Sequence, residues 1–224
     1  MRKNELAQMI DHTALTAEKT EEDIRTLCNE AKKYNFFSVC INSCYIPLAK
    51  EVLKDSNVKI CTVIGFPLGA NLTSVKVFEA RESILAGANE IDMVANIGWI
   101  KSQHWDLVQN DIQSVLYTCH NKAHLKVILE TCLLTEDEII TICRICKDLG
   151  VDFVKTSTGF NKEGATVKNI QLMRRTVGQQ VGVKASGGIK NTKIALDMIN
   201  AGANRIGASA GIDIIQGLSD TNNI

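Results

Sequence analysis

The sequence carries no excess of either charge: Lys and Arg number 25, and so do Asp and Glu. Without a block of like charge there is no footprint for nucleic acid and no attraction to an anionic membrane surface. No apolar run is long enough to span a bilayer, and the stretch Met1-Arg-Lys-Asn-Glu5 meets an acid before any apolar segment develops. Neither a membrane span nor a secretory signal is therefore expected. A disulfide framework is missing as well, because the eight cysteines are scattered among apolar neighbours and read as reduced, buried small hydrophobes. Cys143 and Cys146 form one Cys-x-x-Cys, to which Cys119, His120 and His124 could be added as zinc ligands. No second Cys-x-x-Cys exists, however, and the pair falls at i and i+3 on an apolar helical stripe with Ile139, Ile142 and Ile145, so no metal is expected. Together these absences predict a cytoplasmic protein whose partner is a small molecule.

Linkers and low-complexity segments are also lacking, and 224 residues suit a single domain over 1–224. Short runs rich in β-branched residues, at 9–12, 37–41, 60–65, 90–96, 125–130, 153–157, 180–185 and 205–209, read as strands. Helical stretches alternate with them at 21–34, 74–86, 105–119, 136–149, 166–176 and 192–201, with a weaker signal at 47–53. The strands are continuous apolar runs, as burial on both faces of a parallel sheet requires. Gly87, Gly150 and Gly202 each sit between a helix and the next strand, where glycine takes a positive φ at no steric cost. Thr135 before Glu136, Asp137 and Glu138 has capping-box spacing. No Gly-x-Gly-x-x-Gly opens the first unit and the βα units run to eight, so the sequence predicts an α/β fold of the (β/α)8 TIM barrel type and not a doubly wound sheet. In such a barrel the active site lies at the C-terminal ends of the strands.

Two lysines interrupt those apolar runs, in Phe-Val-Lys155-Thr-Ser-Thr-Gly-Phe and in Val-Gly-Val-Lys184-Ala-Ser-Gly-Gly-Ile. Strands 6 and 7 are neighbours in a barrel, so both ammonium groups can point into one pocket. Burial and a second cation each favour the neutral, nucleophilic amine, whereas an unperturbed lysine holds almost none of it at neutral pH. The alternative is that the lysines form buried ion pairs with Asp92, Asp11 or Glu130 and hold the barrel together. Asp92, mid-strand in Glu-Ile-Asp92-Met-Val, is either a counter-ion to a lysine or a proton relay, two roles that are compatible. Thr158-Gly159, Gly187-Gly188 and Ser209 with Ala210-Gly211 follow strands 6, 7 and 8 and would aim backbone amides at one spot, which implies a phosphorylated substrate. Cys40 is read as packing and His12 as a structural hydrogen-bonding residue.

The stretches Ile10-Asp-His-Thr13, Val39-Cys-Ile-Asn42, Thr62-Val-Ile-Gly-Phe-Pro-Leu-Gly69, Gly87-Ala-Asn-Glu-Ile-Asp-Met-Val94 and Lys126-Val-Ile-Leu-Glu-Thr131, with the two lysine motifs and Arg205-Ile-Gly-Ala-Ser209, resemble the deoxyribose-phosphate aldolase family over nearly the whole chain. The resemblance implies a class I aldolase, a carbon–carbon lyase that needs no metal or other cofactor. Its substrate would be 2-deoxy-D-ribose 5-phosphate, cleaved to D-glyceraldehyde 3-phosphate and acetaldehyde in deoxyribonucleoside catabolism. It further implies Lys155 as the Schiff-base lysine, Lys184 as the cation that activates it, Asp92 as proton donor or acceptor and Asp11 as support. Ala14, Ser43, Asn89 and Ala210 depart from the family pattern, and the tail 219–224 lacks the terminal tyrosine of some relatives. Other possibilities are an aldolase for another short phosphorylated sugar or keto acid, a non-catalytic sugar-phosphate binder, and an isomerase working by proton abstraction. A homodimer is a further expectation.

Overall fold

The β-branched runs pair in chain order and close on themselves. In the computed structural model, which describes residues 1–218, the strands β1 (Ile10–Ala14), β2 (Ser38–Ile41), β3 (Lys59–Ile64), β4 (Glu90–Val94), β5 (His124–Ile128), β6 (Phe153–Lys155), β7 (Gly182–Ser186) and β8 (Arg205–Ala208) form a closed parallel barrel. Around them lie α1 (Lys3–Ala7), α2 (Glu21–Tyr34), α3 (Ile46–Val52), α4 (Thr73–Ala86), α5 (Ile97–Lys101), α6 (Trp105–Cys119), α7 (Glu136–Leu149), α8 (Val167–Val177), α9 (Thr192–Asn200) and α10 (Gly211–Gln216). This is the (β/α)8 barrel the alternation predicts. Among the described residues no helix is long and apolar enough to cross a membrane.

Local chemistry explains the joints. Thr135 accepts from Glu138 N–H while Glu138 reaches back to the Thr135 amide at 2.7 Å, completing the capping box of α7. Thr20 and Asp23 do the same for α2. Gly87, Gly150 and Gly202 all have positive φ. Cys143 and Cys146 are buried on the face of α7 with Ile139 and Ile142, packed against the core and not exposed as ligands.

The boundaries differ from expectation where polar side chains redirect the chain. β1 runs on to Ala14, which pairs with Ile41, so Asp11 and His12 lie inside the strand and not at its end. β4 stops at Val94 because the Asn96 side chain accepts from Trp99 N–H and starts α5. β5 stops at Ile128, since Glu130 adopts a left-handed φ of 54°. The unanticipated helices α1, α5 and α10 are 5, 5 and 6 residues long, too short to display a periodic apolar face. The tail 219–224 lies outside the described residues.

Candidate active site

Register brings the two lysines together: Lys155 of β6 is paired directly with Lys184 of β7. Both ammonium groups point inward and donate to the same atom, Asp92 Oδ2, each at 2.8 Å. Asp92 Oδ1 accepts from a third ammonium, that of Lys126, at 2.9 Å and from Cys61 Sγ at 3.1 Å. Lys184 also stands 2.5 Å from Asp11 Oδ2, and Arg205 donates to Asp11 Oδ1 at 2.8 Å. Below them Glu90 joins Lys126, at 2.6 Å, to Arg205, at 3.2 Å, and the Arg205 guanidinium lies 3.5 Å from the Phe37 ring centre. Space for the Lys184 stem comes from Gly207, where a Cβ would stand 3.0 Å from Lys184 Cε.

The lysines are adjacent, as their places on neighbouring strands predict, and both are also paired with carboxylate. Lys126, Glu90 and Arg205 were not singled out from the sequence: Lys126 carries the same signal as Lys155 and Lys184, a charge within an apolar strand, but Glu90 and Arg205 are the first residues of β4 and β8 and carry none. The connected cluster sets Lys126, Lys155, Lys184 and Arg205 against Asp11, Glu90 and Asp92, a surplus of one cation. Burial alone would raise the Asp92 carboxyl, yet Lys126, Lys155 and Lys184 outweigh it and hold Asp92 well below the usual carboxylate range. Burial would likewise depress Lys184, but Asp11 and Asp92 hold it well above the ordinary lysine range, so it stays charged. The sulfurs of Cys40 and Cys61 and a carboxylate oxygen of Asp92 lie within 4.8 Å of one another. Ammonium groups already occupy both Asp92 oxygens, which disfavours a metal cation there.

Lys155, alone of the charged residues in this cluster, lines the pocket at the C-terminal ends of the strands. That pocket, of about 240 Å³, is walled by Lys155, Thr158, Gly159, Gly187, Gly188 and Ser209 among others. The expected phosphate residues thus gather on one hollow with the lysine. Gly187 has φ 83°, and its Cβ would fall 2.8 Å from Gly164 Cα, while Ala165 N–H donates to the Ser186 carbonyl at 3.0 Å. The loops after β6 and β7 are in this way stitched into one wall. Thr158 is partly diverted: its hydroxyl donates to Glu130 and accepts from Phe160 N–H at 3.1 Å, so it anchors the loop. Ser209 is exposed at the rim. A larger hollow of about 510 Å³ opens at the opposite end of the barrel, touching the cluster only through Glu90.

Two discounted residues keep to their expected places. His12 Nε2 is 2.7 Å from Glu30 Oε2, a structural link between β1 and α2. Cys40 is completely buried against Leu15, Cys61 and Val63. Its thiol is drawn below the ordinary range by the hydrogen bond with Cys61, against burial, but it does not reach the pocket.

Residues 6–217 match the family model described as DeoC/LacD family aldolase. The chain is 68% identical over 224 residues, all of both chains, to the deoxyribose-phosphate aldolase of Histophilus somni strain 2336. It is 70% identical over 220 residues, 98% of each chain, to that of Mannheimia succiniciproducens. Among solved structures it overlays the tetrameric deoxyribose phosphate aldolase of Aeropyrum pernix with a TM-score of 0.89 at 32% identity, covering 96% of this chain and 91% of the other. With the family model matching nearly the whole chain and relatives this similar along their full length, the chain belongs to the DeoC/LacD family of aldolases.

Proposed function

We propose that this chain cleaves 2-deoxy-D-ribose 5-phosphate to D-glyceraldehyde 3-phosphate and acetaldehyde through a Schiff base on Lys155. The observation that carries the reading is that Lys155, alone of the buried charged cluster, faces the pocket, beside the glycine loops and Ser209. Loss of one proton at Lys155 removes the surplus charge of the cluster and leaves a neutral amine. That amine adds to C1 of the open-chain aldehyde and its proton passes to the new oxygen; the proton that Lys155 gave up then returns to the hydroxyl so formed, which leaves as water and gives a protonated imine whose positive charge faces Asp92. Removal of the C3 hydroxyl proton breaks the C2–C3 bond, whose electrons pass into the imine; glyceraldehyde 3-phosphate departs and an enamine remains. Protonation at C2 and addition of water release acetaldehyde and restore Lys155.

Each remaining residue has a part. Lys184 keeps the standing charge that disfavours a second ammonium, Asp92 bridges both nitrogens as the proton path, and Asp11 holds Lys184. Gly159, Gly187, Gly188 and Ser209 receive the phosphate through amide and hydroxyl donors, with Thr158 fixing the first of those loops. The steps draw on no metal or cofactor. The same reading assigns the chain to deoxyribonucleoside breakdown in the cytoplasm, with residues 1–224 acting as one domain. The exposed Leu72, Val75, Phe78 and Leu85 along and beside α4 support a homodimer.

Borohydride reduction in the presence of acetaldehyde tests the chemistry. An ethyl group is expected on Lys155, with Lys184 unmodified and no adduct in Lys155→Met. No adduct, or one on another lysine, refutes the assignment.

A further inference from the structure

Lys76 on α4 takes no part in the proposed chemistry, yet it is completely buried. Its ammonium donates to the carbonyl of Val94, the last residue of β4, at 3.0 Å and to Asp111 Oδ2 on α6 at 2.6 Å. Asp111 is buried too, and its other oxygen accepts from Thr73 Oγ1 at 2.8 Å. Buried ion pairs add little net stability over apolar side chains of similar volume, so stability alone does not account for this one.

What the pair does account for is the geometry of the loop 65–69. A Cβ on Gly65 would come 3.0 Å from Lys76 Cε, so the loop backbone rests on the lysine stem. Gly65 N–H donates to Glu79, also on α4, at 2.8 Å. At the far end a Cβ on Gly69 would stand 2.0 Å from the Ala95 carbonyl oxygen, just past β4, and Gly69 N–H closes onto the Gly65 carbonyl at 2.7 Å. The loop is clamped between α4 and the end of β4, and Lys76 ties those two supports together. It carries Phe66, whose ring meets Phe160 edge-on with centres 5.1 Å apart. Phe160 in turn lines the Lys155 pocket.

We infer that Lys76 is a positioning residue, a buried strut that sets the Phe66 loop against Phe160 and so fixes one wall of the substrate pocket. The inference rests on the reading of that pocket as the sugar-phosphate site.

The variant Lys76→Met/Asp111→Asn removes both charges while leaving an acceptor for Thr73, so no ion is orphaned. Amide hydrogen exchange in 65–69 is expected to become about tenfold faster with the rest of the protein unchanged, and KM for 2-deoxyribose 5-phosphate to rise about tenfold at constant kcat. Phe66→Ala, with the strut intact, should show the same rise in KM without the faster exchange. Unchanged KM in the folded double variant, or a loss of activity that merely tracks its folded fraction, overturns the inference. Should the double variant not fold, unchanged KM in Phe66→Ala overturns it. A wild-type protein that neither cleaves the substrate nor forms the ethyl adduct refutes the reading of the pocket instead, and the exchange measurement still decides whether Lys76 holds the loop.

Discussion

Replacing Lys184 by Met removes the cation that shares Asp92 Oδ2 with Lys155 while keeping an unbranched side chain of similar volume. Both nitrogens lie 2.8 Å from Asp92 Oδ2. Two unit charges about 5 Å apart repel by about 3 kcal/mol at an effective dielectric constant of about 20. That energy corresponds to about two pH units in a proton equilibrium. The sign follows from which form of Lys155 is penalised. In the wild type, Lys184 is charged through neutrality and disfavours a second ammonium, so deleting it favours the protonated, unreactive form of Lys155. The pH at which kcat/KM reaches half its maximum on the acid limb is therefore expected to move upward by about two units. The single variant leaves Asp11 and Asp92 short of a partner and costs about 3–5 kcal/mol of stability, so activity must be scaled to folded protein. Lys184→Met/Asp11→Asn removes one charge of each sign, restores the surplus cation and should bring the limb back toward its wild-type position. The assay is the retro-aldol rate across a series of pH values for all three proteins. An acid limb that stays in place in folded Lys184→Met would refute the electrostatic role of Lys184.

The ionisation of the cluster and the loop after β7 each have a further consequence. Asp11 and Asp92 are held below the usual carboxylate range by their cationic partners against burial, so their contribution to stability is complete above the unfolded value of about 3.9 and drains away as pH falls below it. Lys126 and Lys184 are raised by their carboxylate neighbours against burial, so their contribution is complete below about 10.4 and lost as pH rises through their folded values. Thermal midpoints measured against pH should decline at both extremes; a midpoint flat down to pH about 2 would contradict the cluster's ionisation. In the loop after β7, Gly187 and Gly188 both have positive φ, but a Cβ on Gly188 meets nothing within 4 Å while one on Gly187 strikes Gly164. Gly188→Ala should cost about 1 kcal/mol of backbone strain, and Gly187→Ala distinctly more, with a raised KM for the phosphorylated substrate. Equal effects on thermal midpoint and KM would contradict the stitched wall.

Strand and helix identities are legible in the sequence because continuous β-branched runs and capped amphipathic stretches alternate, and right-handed βα units of that kind have few ways to close. Lys155 and Lys184 stand out for a related reason, since a charge inside an apolar strand needs a partner or a task. That same test, applied to Leu-Lys126-Val, would also have marked Lys126, whereas Glu90 and Arg205 open their strands and escape it. The short helices α1, α5 and α10 were illegible because a single turn or so has no period to read.

The sequence alone determined the alternation, the barrel class and the chemical types at the strand ends, because each is a property of local runs of residues. Tertiary structure decided that one carboxylate, Asp92, serves three ammonium groups. It also turned Thr158 toward Glu130 and left Lys155, of that whole charged cluster, facing the pocket. Those outcomes depend on inter-strand register and on which side chains share a cavity, distances set by residues tens of positions apart that no local pattern encodes.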